Sequence, residues 1–156
     1  MQNFIKGIGA SSGIAIGKAY LIQKPNFDLK NSKNVVDANK AKTMLTSAIE
    51  KTTKQLEEIK TLSRDKIGEA NAELFDAHIQ IANDPAIADQ INAEINKGSS
   101  INLVETVNTV FDNYRDMFKA MDDPYFKERA SDVVDVKERI LANILDVKLP
   151  DIISIH

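Results

Sequence analysis

From Val36 to Ile67 the chain contains neither glycine nor proline, and its apolar residues fall on one helical stripe. Ala41, Leu45, Ala48, Ile49, Thr52, Leu56, Ile59 and Leu62 recur at three- and four-residue spacing, the period of a long amphipathic helix. Gly68 stands where such a helix needs a C-terminal residue of positive φ. Further stripes follow. A second helix carries Leu74, Phe75, His78, Ile79 and Ala82. Asn83-Asp84-Pro85 then restarts the helix by a cap and a first-turn proline, and Ile87, Ile91 and Ile95 continue it to Lys97-Gly98. Asn102 and Glu105 stand at capping-box spacing ahead of Leu103, Val107, Val110, Phe111, Tyr114, Phe118 and Met121. Asp123-Pro124 opens a last helix to about Leu145, with Phe126, Ala130, Val133, Ile140 and Ile144 as its predicted core face. Short breaks between such segments predict a mainly α protein, an antiparallel bundle of four long helices with one broken.

The ends read differently. Residues from about Phe4 to Ile22 hold four of the six glycines among β-branched and aromatic residues, which predicts one or two short strands with tight turns. Lys24 to Lys33 reads as a connecting loop. The tail Val147 to His156 is apolar and contains Leu149-Pro150-Asp151, like the start of a further element. A chain of 156 residues, 43% hydrophobic, suits one core with an appendage. A net charge of −3 gives no electrostatic case for nucleic acid and suits a basic protein partner. Cysteine is absent, which rules out disulfide and thiolate chemistry and fits a reducing compartment. No apolar run is long enough for a signal peptide or membrane span, so the expected location is cytoplasmic.

Several familiar chemistries fail on spacing. Gly7, Gly9 and Gly13 give G-x-G-x-x-x-G, with Ser12 where a dinucleotide fingerprint requires its third glycine, and no helix opens behind them. A di-iron bundle needs two Glu-x-x-His pairs, whereas the two histidines are His78 and the terminal His156. As a phosphoryl acceptor on a helix, His78 lacks a nearby lysine, and Leu74 and Ile81 at helical spacing give it an apolar setting. A partly buried or interface histidine is the favoured reading. Ser11-Ser12 has no histidine in sequence context to activate it. The abundant carboxylates read as a solvated face.

Two runs carry a resemblance. Gly7 to Tyr20 (GIGASSGIAIGKAY) and Tyr125-Phe126-Lys127-Glu128-Arg129-Ala130-Ser131-Asp132-Val133-Val134-Asp135 resemble the Enzyme I family of the bacterial sugar phosphotransferase system. The likeness extends from about Lys6 to Pro150. It implies that residues 1–34 are a β segment and linker from an incomplete α/β phosphohistidine domain. Residues 35–146 would be a helical domain that docks the phosphocarrier HPr, and 147–156 a truncated return to the first domain. Members pass phosphate from phosphoenolpyruvate, with magnesium, to their own histidine and then to HPr. That histidine lies in a Gly-Gly-x-Thr-Ser-His motif, which this sequence does not contain. The resemblance therefore implies a fragment of a phosphoenolpyruvate-protein phosphotransferase that is inactive alone. It would hold no cofactor, recognise HPr and the remainder of its enzyme, and be monomeric. The same likeness extends to the nitrogen-regulatory branch, with the lack of a preceding sensor domain leaning toward sugar.

By matching positions, the implied docking surface comprises Glu69, Leu74, His78, Gln80, Ile81, Asp84, Ile87, Phe118, Phe126 and Arg129. An apolar centre would sit within an acidic rim that includes Asp123. Arg129 is expected to pair with Asp132 at i+3. The chain departs from the family where Pro85-Ala86 follow Asp84 in place of acidic residues, where Val134 replaces a frequent arginine, and where Gln80 replaces a larger apolar residue. Two other readings of the same residues are a stand-alone histidine-phosphotransfer module using His78 and a structural adaptor bundle.

Overall fold

The computed structural model describes residues 4–150. A 3-10 turn at Ser32–Asn34 leads into strand β1 (Val35–Asp37) and helix α1 (Ala38–Ile67). Helices α2 (Glu69–Ala82) and α3 (Pro85–Ile95) follow, then strand β2 (Ser100–Asn102), α4 (Leu103–Ala120) and α5 (Pro124–Leu145). The result is the predicted antiparallel bundle, with its second helix broken between α2 and α3.

The expected strands between Phe4 and Ile22 are not formed. Those residues carry no regular structure, and Phe4, Ile5, Ile8, Ile14 and Ile16 are 89–99% exposed. A strand exists only where neighbouring backbone takes up its N–H and C=O groups, and none of the described residues lies alongside. The β structure is instead a short antiparallel pair that places Val35 opposite Asn102, Val36 opposite Ile101 and Asp37 opposite Ser100. Each strand ends on the residue that caps the next helix. The carboxylate of Asp37 accepts from Lys40 N (2.9 Å), and Asn102 Oδ1 accepts from Glu105 N (3.1 Å). Two helix starts are thereby tied together. The preceding loop is not detached: Phe27 and Leu29 pack on the core, and Asn102 Nδ2 donates to Leu29 O (2.7 Å).

The core lies where the stripes of all five helices converge, around Leu56, Ile91, Ile95, Leu103, Val107, Phe111, Val133, Ile140 and Leu141. Each such side chain contributes about 1.5–3 kcal/mol on burial. The α5 stripe is wider than expected, since Val136 and Lys137 are also buried while Phe126 and Ile144 are only half-buried. The α1–α5 seam is tied by Asn143, which donates to Thr52 Oγ1 (2.9 Å) and Gln55 Oε1 (3.0 Å). Gln55 Nε2 donates back to Asn143 Oδ1 (3.0 Å).

Gly68 joins α1 to α2 as a single residue at φ 110°, ψ 168°, a region essentially confined to glycine. A Cβ there would meet no atom, so its cost is conformational alone. Gly68→Ala is expected to lose about 1–2 kcal/mol, readable as a lowered urea midpoint with unchanged slope. Residues 147–150 follow α5 without regular structure, while His156 and the rest of 151–156 lie outside the described residues.

Candidate functional site

Three helix boundaries converge on one shallow groove. The first is the break after α2. There Asn83 Nδ2 donates to Ile79 O and to Thr53 Oγ1 (both 2.9 Å), while Asp84 Oδ1 accepts from Ala86 N (2.8 Å) and Pro85 needs no acceptor. The chain stops and restarts within two residues, which presents Gln80, Ile81 and Asp84 together. The second is the last turn of α4, which carries Phe118. The third is the start of α5, where Asp123 Oδ1 accepts from Tyr125 N (2.9 Å) and Pro124 occupies the first turn. That start displays Tyr125, Phe126 and Arg129.

These seven residues line a concavity of about 190 Å³. Its apolar part is Ile81 with the rings of Phe118 and Phe126, whose centroids are 5.7 Å apart. Tyr125 meets Phe126 edge-on at 5.4 Å. Arg129 lies with its guanidinium carbon 4.8 Å from the Tyr125 ring centroid, and its Nη2 donates to the Tyr125 hydroxyl (2.5 Å). The expected Arg129–Asp132 pair is therefore not the arrangement found. Asp132 turns to α2 and accepts from His78 Nε2 (3.0 Å), whose ring stands edge-on to Phe75 at 5.8 Å. A carboxylate accepts only, so this bond requires the proton on Nε2. Burial first, and the charge of Asp84 second, push the Tyr114 phenol above its ordinary pKa, so it stays neutral near the groove.

Of the ten sequence-predicted site residues, Gln80, Ile81, Asp84, Phe118, Phe126 and Arg129 are brought together here. Four are not. Glu69 opens α2, where its Oε2 accepts from Arg64 Nε (2.8 Å). Leu74 stands 64% exposed on α2. His78 is half-buried against Asp132, and Ile87 is only 5% exposed within the core. Tyr125 was missed as a site residue although it precedes Phe126 directly. Its signal was the four-residue spacing to Arg129, one helical turn. A larger concavity, lined by Lys42, Thr43, Thr46, Ser47 and Glu50, is a polar face of α1 alone and converges no chemistry.

Among the described residues no three His, Cys, Asp or Glu side chains are grouped to hold a metal ion, and no helix is long and apolar enough to cross a membrane. An apolar floor, a tethered cation and a carboxylate meet on one open groove of a helical domain.

The comparisons with known proteins place that domain. The family profile of the PEP-utilising enzyme N-terminal domain matches residues 6–129, and the chain belongs to this family. Phosphoenolpyruvate-protein phosphotransferases of Mycoplasma genitalium and Enterococcus faecalis are 48% and 40% identical to it over 152 residues. Each alignment covers 97% of this chain and 26% of the relative, so the chain spans about a quarter of those proteins. A solution structure of an Enzyme I protein superposes with a TM-score of 0.66 at 28% identity, over 84% of this chain and 50% of that one. The N-terminal domain of a nitrogen Enzyme 1 shares the fold, with a TM-score of 0.65 at 23% identity over 75% of this chain and 50% of that one.

Proposed function

We propose that residues 35–146 are the HPr-docking domain of a cytoplasmic phosphoenolpyruvate-protein phosphotransferase. Residues 1–34 and 147–156 would belong to its phosphohistidine domain. The observation that carries this reading is the groove. The end of α2, the break after it and the start of α5 supply its lining, together with Phe118 of α4. A half-exposed aromatic centre beside the Asp84 carboxylate suits a transient complex with a basic, partly apolar carrier. Leu74, on the same helix as Gln80 and Ile81, extends the apolar surface along α2.

Titrating isotope-labelled HPr from the same organism with this chain tests the reading. Chemical-shift changes localised around the carrier's active histidine are expected, and Arg129→Glu should remove them while its own spectrum stays folded. No shift changes at high micromolar protein would leave a structural adaptor as the better reading.

The histidine-phosphotransfer alternative is disfavoured by His78 itself. Its side chain is 16% exposed and Nε2 is engaged by Asp132. Incubated with phosphoenolpyruvate and magnesium, His78 is expected to take up no phosphoryl group. Mass spectrometry at alkaline pH, where phosphohistidine survives, would reveal one.

A further inference from the structure

Helix α1 supplies none of the groove lining, yet one of its side chains holds the break that shapes the groove. Thr43, Thr46, Thr53 and Thr61 each donate a hydroxyl to the α1 carbonyl four residues earlier, at 2.9–3.2 Å. Among the described residues, Thr53 is the one of these four whose hydroxyl also accepts from another element. Its donor is Asn83 Nδ2, at 2.9 Å. A hydroxyl has one proton, and the bond to Ile49 O (2.9 Å) directs that proton into α1. Thr53 Oγ1 therefore faces Asn83 as an acceptor. Asn83 Nδ2 donates also to Ile79 O (2.9 Å), which accepts from Asn83 N as well (3.1 Å). With both carboxamide protons engaged, Asn83 is fixed to α2 on one side and to α1 on the other.

The break has few other means of holding its shape. Gln80 and Ile81 sit in the last turn of α2 and Asp84 is the N-cap of α3, so their relative placement follows the torsions at Asn83 (φ −105°, ψ 14°) and Asp84 (φ −66°, ψ 115°). Helix ends fray, and an asparagine bonded to its own helix alone would move with the fraying end. The bond to Thr53 refers the break to the long helix instead. We propose that Thr53 is a positioning residue for docking: through Asn83 it holds Gln80, Ile81 and Asp84 in the arrangement the carrier meets, without touching the carrier. This inference rests on the HPr-docking reading and adds to it a determinant on a helix outside the docking surface. Losing one neutral hydrogen bond lowers the fraction of chains that keep this arrangement, and apparent affinity falls with that fraction.

Calorimetric titration of HPr into the parent chain and into Thr53→Val, Thr53→Ser, Asn83→Ala and Thr46→Val tests it. Thr53→Val keeps the branched shape and loses the hydroxyl, and should raise Kd about fivefold. Thr53→Ser restores the hydroxyl and should bind within about twofold of the parent. So should Thr46→Val, which removes a hydroxyl bonded to its own helix. Because Thr53 and Asn83 share one bond, Thr53→Val added to Asn83→Ala should weaken binding no further. Amide exchange should quicken at Ala86, whose N–H is held by Asp84 just past the break, and stay unchanged at Phe111 in the core. A Thr53→Val chain that binds within about twofold of the parent overturns the proposal. So does a loss of affinity that Thr53→Ser does not rescue, or one that adds in full to that of Asn83→Ala. If Phe126→Ala abolishes binding while the Thr53 and Asn83 variants bind normally, docking stands and this inference falls. A parent chain that does not bind HPr overturns both.

Discussion

Asp112→Ala is expected to cost about 3–5 kcal/mol, a large share of the stability of a domain this size. Lys137 is 9% exposed on the inner face of α5, and its Nζ donates to Asp112 Oδ1 across the α4–α5 seam (2.6 Å). Asn108 Nδ2 donates to the other oxygen (3.2 Å), and Arg115 Nη1 shares the first (3.0 Å). Removing the carboxylate strands a buried ammonium, whereas Arg115 keeps a second partner in Asp116 (2.9 Å). The Arg115–Asp116 hydrogen bond holds the Asp116 carboxyl below its usual range and the guanidinium above its own. The damage from Asp112→Ala should therefore fall on Lys137. Replacing both as Asp112→Ala with Lys137→Met removes the stranded charge and should recover most of the loss, because a buried ion pair is often no better than well-packed apolar atoms. Thermal melts read this as a fall of about 2–4 °C for each kcal/mol in the single variant. A single variant within about 1 kcal/mol of the parent would mean that Lys137 reaches water and that the seam is held by its apolar residues alone.

Lys137 also shows how far the sequence could be read. It stands four residues after Val133 and seven after Ala130, so it shares the spacing of the core face although it was not expected on it. Composition argued the other way, because lysine is rarely buried unless paired, and its partner lies 25 residues away on another helix. Helix starts were legible because their signals are local: Asp84-Pro85, Asn102 and Asp123-Pro124 cap helices with side chains two or three residues from the amide they serve. Strand pairing is not local. The glycine-rich stretch from Phe4 to Ile22 has strand composition but no adjacent backbone among the described residues, whereas Val35–Asp37 pairs despite being too short to show a period. The same limit explains Asp132. An i+3 neighbour offered itself in Arg129, but His78, 54 residues earlier, is brought alongside by the packing of α2 on α5.

Phe126→Ala and Ile87→Ala should separate two roles that resemblance assigns to one surface. Phe126 is half-buried, pairs with Phe118 and Tyr125 in the groove lining, and has room for a partner's side chain against it. Truncating an aromatic at the centre of an interface typically removes 2 kcal/mol or more of binding, so Kd for HPr is expected to rise at least about 30-fold. The accompanying loss of stability should be small, because the ring is not enclosed. Ile87 is buried in the core cluster on α3, a helix that packs against α1 and α4, and it does not line the groove. Ile87→Ala opens a cavity in the core and is expected to cost about 2–5 kcal/mol of stability. At a temperature where the variant is still folded, its Kd should stay within about threefold of the parent, since no groove contact is removed. Melting curves and HPr titrations on the same two proteins decide the matter. If Ile87→Ala weakens binding as much as Phe126→Ala while leaving the melt unmoved, α3 must turn that side chain outward when the carrier docks, and the docking surface extends past the break at Asn83 and Asp84.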